Sequence, residues 1–165
     1  MIKINNVHVF NTPEEIGVRI LFVLSECQHK MSLQRLMYYD YLSLHLSDIN
    51  AEYISLHPSN PHHSSEIAVK REIIRDGINL MINRGLMNVR YTRQGIFYER
   101  NQITDNFTKM FDSSYSSQYK ANISIIKQKF LSFSDNALYK FVSDNIGNWA
   151  GEFEQERFVR TDFND

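Results

Sequence analysis

Residues Ser65–Arg100 read SEIAVKREIIRDGINLMINRGLMNVRYTRQGIFYER, and this run decides the fold. Its first half repeats apolar residues at helical spacing. On a wheel Ile67, Ile74, Ile78, Met81 and Ile82 share one side, and Val69, Ile73 and Leu80 widen it. Gly85 is placed to close that helix as a C-cap, because glycine adopts a left-handed backbone without a Cβ penalty. The second half changes period: Met87, Val89 and Tyr91, then Gln94-Gly95, then Ile96 and Tyr98. That spacing predicts a helix over Ser65–Arg84 and a two-stranded hairpin over Leu86–Arg100.

Upstream, Thr12-Pro13-Glu14-Glu15 combines an N-cap threonine, proline at the first helical position and a glutamate at the third. The helix it opens, Pro13 to about Cys27, is apolar nearly all round, with only Glu15, Arg19 and Glu26 forming a polar line. Such a helix belongs in the middle of a fold. Gln28-His29-Lys30 reads as a turn, and Ser32 caps a second helix to about Ser47 with Leu33, Leu36, Met37 and Leu44 on one face. Asp40 falls on that face. Burying it unpaired would cost several kcal/mol, so it needs backbone amides, a tyrosine or an arginine as partner. Ile49–Ser65, broken by Pro58 and Pro61, reads as a long surface loop, and Ile2, Ile4, Val7 and Val9 suggest a short N-terminal strand.

Downstream, Asn101–Phe111 reads as a short helix with Ile103, Phe107, Met110 and Phe111 on its sticky side, followed by a serine-rich break over Asp112–Ser117. Two amphipathic helices are expected, Gln118–Phe133 and Asp135–Asn148, the second capped by Ser134 and burying Leu138, Phe141, Val142 and Trp149. The tail from Gly151 sets Phe153, Phe158 and Phe163 among acidic residues, a pattern suited to docking on a partner. The expected fold is mainly α (α+β). A winged-helix-like core of three helices and a hairpin wing occupies residues 1–100, and a C-terminal helical region with an acidic aromatic tail occupies 101–165. Thr12, Pro13, Glu15, Asp40 and Gly85 are its structural signposts, and Phe107, Phe111, Trp149, Phe153, Phe158 and Phe163 are its candidate docking residues.

Composition narrows the chemistry. The 165 residues carry a formal net charge of −1, so any contact with nucleic acid or an anionic membrane has to be local. Cys27 is the only cysteine, the first ten residues lack the pattern of a secretory signal, and no stretch approaches a membrane span, so a cytoplasmic protein is expected. No phosphate-binding glycine loop, Gly-x-Ser-x-Gly elbow, His-Glu-x-x-His or paired cysteine ligands occur, and a non-catalytic protein without a cofactor is expected. His57, His62 and His63, with His29 and Cys27, raise a zinc site, but their irregular spacing argues against it. In the third helix the exposed strip Ala68, Glu72, Arg75, Asp76, Asn79 and Asn83 sets two acids against one arginine, a poor face for phosphates. DNA contact is thereby confined to Lys70, Arg71, Arg90 and Arg93, as the secondary reading.

Several short motifs, taken in order, resemble a known family. They are Asn11-Thr12-Pro13-Glu14-Glu15-Ile16-Gly17 leading into Arg19-Ile20-Leu21, then Tyr39-Asp40-Tyr41-Leu42, then Ser55-Leu56-His57-Pro58. The last continues through Pro61-His62-His63-Ser64-Ser65-Glu66 to Arg84-Gly85-Leu86. Together they look like the small middle component of bacterial ABC three-component defence systems, the group that includes the Lamassu C subunit. Where that pattern has arginine and glycine, this chain has His63 and Ser65. The likeness covers roughly Asn11–Leu86, and the C-terminal third matches nothing by motif. The resemblance implies a non-catalytic adaptor in an antiphage or anti-plasmid complex, beside an SMC/Rad50-like ATPase and an effector subunit, often a nuclease. ATP and metal would then belong to those partners. A DNA-binding winged-helix transcriptional regulator is the alternative.

Overall fold

The computed structural model describes residues 11–57 and 63–146, without the side chains of 63–69 and 146. The expected N-terminal strand, the loop residue His62, the side chain of His63, and Trp149, Phe153, Phe158 and Phe163 lie outside the described residues. Along the chain come α1 (Pro13–Cys27), β1 (Met31–Ser32), α2 (Leu33–Leu44), a 3-10 turn (Leu46–Asp48), α3 (His63–Asn83), β2 (Asn88–Thr92), β3 (Gly95–Glu99), α4 (Gln102–Thr108), α5 (Ser114–Phe130) and α6 (Asp135–Ile146). The result is a mostly helical α+β fold with one small antiparallel sheet among the described residues.

The start of α1 is built as its sequence dictates. Thr12 Oγ1 accepts from the Glu15 amide at 3.2 Å, and the Glu15 carboxylate reaches back to the Asn11 amide at 2.8 Å. Ile16, Ile20, Leu21, Phe22, Val23 and Leu24 are then all buried, because α3, α4 and α5 each pack against this helix. Against α3 the approach is unusually close. A Cβ on Gly77 would meet the Pro13 carbonyl at 2.6 Å and the Gly17 amide nitrogen at 2.9 Å, so the two glycines let the backbones touch.

On the inner side of α3, Ile74, Ile78 and Met81 are buried, while Glu72, Asp76, Asn79 and Asn83 are exposed, as the wheel predicts. The helix begins at His63, two residues earlier than expected, and ends in a Schellman motif. The Leu86 amide bonds the Met81 carbonyl and the Gly85 amide bonds the Ile82 carbonyl, both at 2.9 Å, with Gly85 at φ +69°. The hairpin follows, Thr92 facing Gly95 across a two-residue turn.

Other elements differ from expectation as well. Helix α4 ends at Thr108, short of Phe111, and α6 runs Asp135–Ile146, with Asn148 outside the described residues. Met31 and Ser32 form a strand against Tyr98 and Phe97 of β3, giving the sheet order β1-β3-β2; two residues are too few to show an alternation. Helix α2 stops at Leu44 rather than Ser47, and the chain tightens into the 3-10 turn, where Asp48 accepts the Tyr41 hydroxyl at 2.6 Å. Helix α5 starts four residues before Gln118, inside the serine-rich run. Serines favour helix N-termini, and Ser113 caps this one by accepting from the Ser116 amide at 3.2 Å. Ser134 caps α6 as expected, accepting from the Ala137 amide at 3.1 Å. Tyr119, Ile123, Ile126 and Phe130 of α5 and Leu138 and Val142 of α6 enter the same core as α1–α3, so packing runs unbroken across position 100.

Candidate functional site

Two of the quoted motifs, those holding Arg19 and Asp40, meet where α1, α2 and α5 cross. Asp40 projects from α2 into the core, and Arg19 of α1 answers it with two bonds, Nε to Oδ1 at 2.7 Å and Nη2 to Oδ2 at 3.0 Å. Tyr119 of α5 donates its hydroxyl to Oδ1 at 2.6 Å. Glu15 and Asn11 take the rest of the guanidinium at 3.0 and 3.3 Å. The expected arginine-or-tyrosine partner of Asp40 is therefore both at once. Arg19, however, is not on a polar surface line: it is 3% exposed. Its charge is tolerated inside because the carboxylates and the amide oxygen answer all three guanidinium nitrogens. Burial works to raise the Asp40 pKa, but Arg19 and the Tyr119 hydrogen bond hold it below the ordinary carboxylate value. Burial, and then Asp40, push the Tyr119 phenol well up, so it stays a donor.

A second arginine does similar work further along. Arg35 of α2 bonds Asp135 at 2.7 Å and the carbonyls of Phe133 and Phe130, while Ser32 donates to the other Asp135 oxygen at 2.7 Å. This ties the start of α6 to the start of α2. Asn122 of α5 adds a bond to the Ser43 carbonyl at 2.8 Å, and Lys127 one to the Glu26 carbonyl at 2.8 Å. Polar bonds at each crossing thus fix how the C-terminal helices sit on α1 and α2.

The loop after α2 folds back so that the amides of Leu56 and His57 both reach the Leu44 carbonyl, and the His57 ring meets the Tyr115 hydroxyl at 3.0 Å. Burial and the nearby Arg19 lower the His57 pKa, with Asp40 opposing. Here Asn11, Arg19, Asp40, His45, His57 and Lys70 line a cavity of about 50 Å³. Among the described residues no three His, Cys, Asp or Glu side chains are grouped to hold a metal. Cys27 is buried, which pushes its thiol up to about 12.

The four candidate nucleic-acid contacts are divided. Lys70 is half-buried at the cavity, and both it and Arg71 already engage neighbours within the molecule. Arg90 and Arg93 lie on the exposed hairpin, Arg90 paired with Glu99 at 2.7 Å. Of the described docking candidates, Phe107 and Phe111 are half-buried and pack edge-on against each other, Phe111 also against Phe22. On that helix and just past it, the apolar side chains left outside are Ile103 and Met110. On the hairpin they are Tyr91 and Ile96, whose spacing in the sequence marks only the strand period. No described helix is long and apolar enough to cross a membrane.

Comparison with the curated proteins and with the solved structures finds no match to either. A family model, in contrast, matches residues 9–152, so it spans Asn11, Arg19, Asp40 and Tyr119 together and reaches through the C-terminal helices that carry no motif of their own. The match covers both sides of the buried joint, and the chain belongs to the ABC-three component (ABC-3C) system Middle Component 2 family.

Proposed function

We propose that this protein is a non-catalytic, cytoplasmic adaptor of an antiphage or anti-plasmid defence complex, related to the Lamassu C subunit. In this reading it bridges an SMC/Rad50-like ATPase and an effector subunit, often a nuclease. The observation that carries the reading is membership of the middle-component family over residues 9–152, since a component acts through partners. The unit from α1 to β3 would serve as a winged helix turned to protein docking. Supporting that use, Glu72 and Asp76 stand exposed on α3, where a DNA reader needs cations. Co-expression with the ATPase and effector encoded beside it is the test, with a stable complex expected. A chain that stays monomeric with both would overturn it.

The alternative is a DNA-binding winged-helix regulator, and one observation favours it. From Gly77 to Tyr98 the chain has Arg84, Arg90 and Arg93 and no acidic residue. That reading demands duplex affinity that falls steeply with salt, with Arg90 and Arg93 among the contacts. Fluorescence anisotropy with a labelled duplex at two salt concentrations separates the two.

A further inference from the structure

Sheet order β1-β3-β2 gives β3 a neighbour on each side, while among the described residues β2 has one. Register fixes what the open side offers. Across a two-residue turn, Thr92 and Gly95 form a hydrogen-bonded pair, and such pairs alternate along an antiparallel ladder. Arg90 with Phe97 and Asn88 with Glu99 therefore spend their main-chain groups inside the hairpin. The N–H and C=O groups of Val89 and Tyr91 point outward.

Side chains mark the same place. Val89, Tyr91, Ile96 and Tyr98 share one face with Met31 of β1. Met31 is buried, and Val89 and Tyr98 are half-buried, but toward the tip Tyr91 is 77% exposed and Ile96 49%. The core-facing side of the sheet thus overhangs the body, leaving an aromatic–aliphatic pair that no described residue covers, beside backbone groups that no described strand uses. Strands left open in this way are usually short, bulged or interrupted by proline; β2 has five regular residues and none of these devices. What guards it is charge. Glu99 answers Arg90 across the hairpin, which leaves Arg93 at the tip to repel a second copy of this edge and to favour an acidic strand.

We infer that the outer edge of β2 receives an extended acidic strand from a partner subunit, its apolar residues covering Tyr91 and Ile96. This rests on the adaptor reading and names the surface through which it works.

The test is amide exchange on the full chain, alone and in complex with the ATPase or effector subunit encoded beside it. Val89 and Tyr91 amides are expected to exchange rapidly alone and roughly 100-fold more slowly in the complex, as newly bonded strand amides do. Tyr91→Pro deletes an outward donor the hairpin does not use, and is expected to weaken the complex about tenfold or more. Tyr91→Thr keeps that donor and should cost less. Arg93→Glu leaves the Arg90–Glu99 pair intact and should weaken binding more at low salt than at high. Protection already present in the lone chain would overturn the inference, because the edge would then be covered by the chain or a second copy. So would protection produced by duplex DNA alone. A complex whose Val89 and Tyr91 amides stay open would overturn it while leaving the adaptor reading standing. Failure to form any complex would sink the adaptor reading and this inference with it.

Discussion

Arg19 and Arg90 each hold a carboxylate at 2.7 Å, Arg19 from Asp40 and Arg90 from Glu99, yet their side chains are 3% and 64% exposed. Water decides what that common distance is worth. Around Arg90 solvent screens the attraction and replaces either partner at little cost, so the pair adds little stability. Arg19 and Asp40 are almost wholly enclosed, and removing one charge strands the other in the core. The inner pair organises the fold, while the outer one lies on a hairpin largely exposed to solvent.

The sharpest way to break this comparison is Asp40→Ala, expected to cost about 3–5 kcal/mol by leaving Arg19 buried without its main counter-charge. Urea unfolding measures it, and a loss no larger than that of Arg90→Ala would sink the contrast. Acid tests the same pair. The Asp40 carboxyl is held below its ordinary 3.8 in the fold and returns there on unfolding, so as pH falls the unfolded chain takes up the proton first. This contribution is complete above the ordinary value and is lost as pH drops below it, and Asp40→Asn should flatten that part of the stability–pH curve.

Next, Arg35→Ala should cost about 2–3 kcal/mol, because Asp135 and two carbonyls lose a charged donor. Limited proteolysis should show α6 released before α1–α3. Gly77→Ala should cost about 1–3 kcal/mol by forcing α1 and α3 apart, since the added methyl meets the α1 backbone at Pro13 and Gly17. Thermal melts of Gly77→Ala and Gly85→Ala separate crowding from backbone strain, as a Cβ at Gly85 meets nothing within 4 Å. Smallest of all, Arg90→Ala should change stability by under about 0.5 kcal/mol. A larger loss would mean the hairpin is part of the folding unit's support.

Much of this architecture was legible in local pattern. Thr12-Pro13 and Gly85 mark helix ends because caps act within four residues, and Ile74, Ile78 and Met81 mark the inner side of α3 because helical period repeats along the chain. Asp40 announced its need for a partner for the same reason: an acid on an apolar face is a local contradiction. Arg19 gave no such sign. Its neighbours Glu15 and Glu26 made it look solvated, and only the crossing of α2 and α5 shows that its head is enclosed. Met31 and Ser32 were hidden by their brevity, and the serine run before α5 read as a break although its serines start the helix.

By itself, then, the sequence determined the helices, the hairpin, their order and the demand for a charge partner at Asp40, because each rests on residues a few positions apart. Tertiary structure alone decided which cation answers Asp40, which glycines let α1 meet α3, and which apolar pair stays outside on the hairpin. Those depend on contacts between residues as far apart as Asp40 and Tyr119, and local spacing carries no record of what another helix will cover.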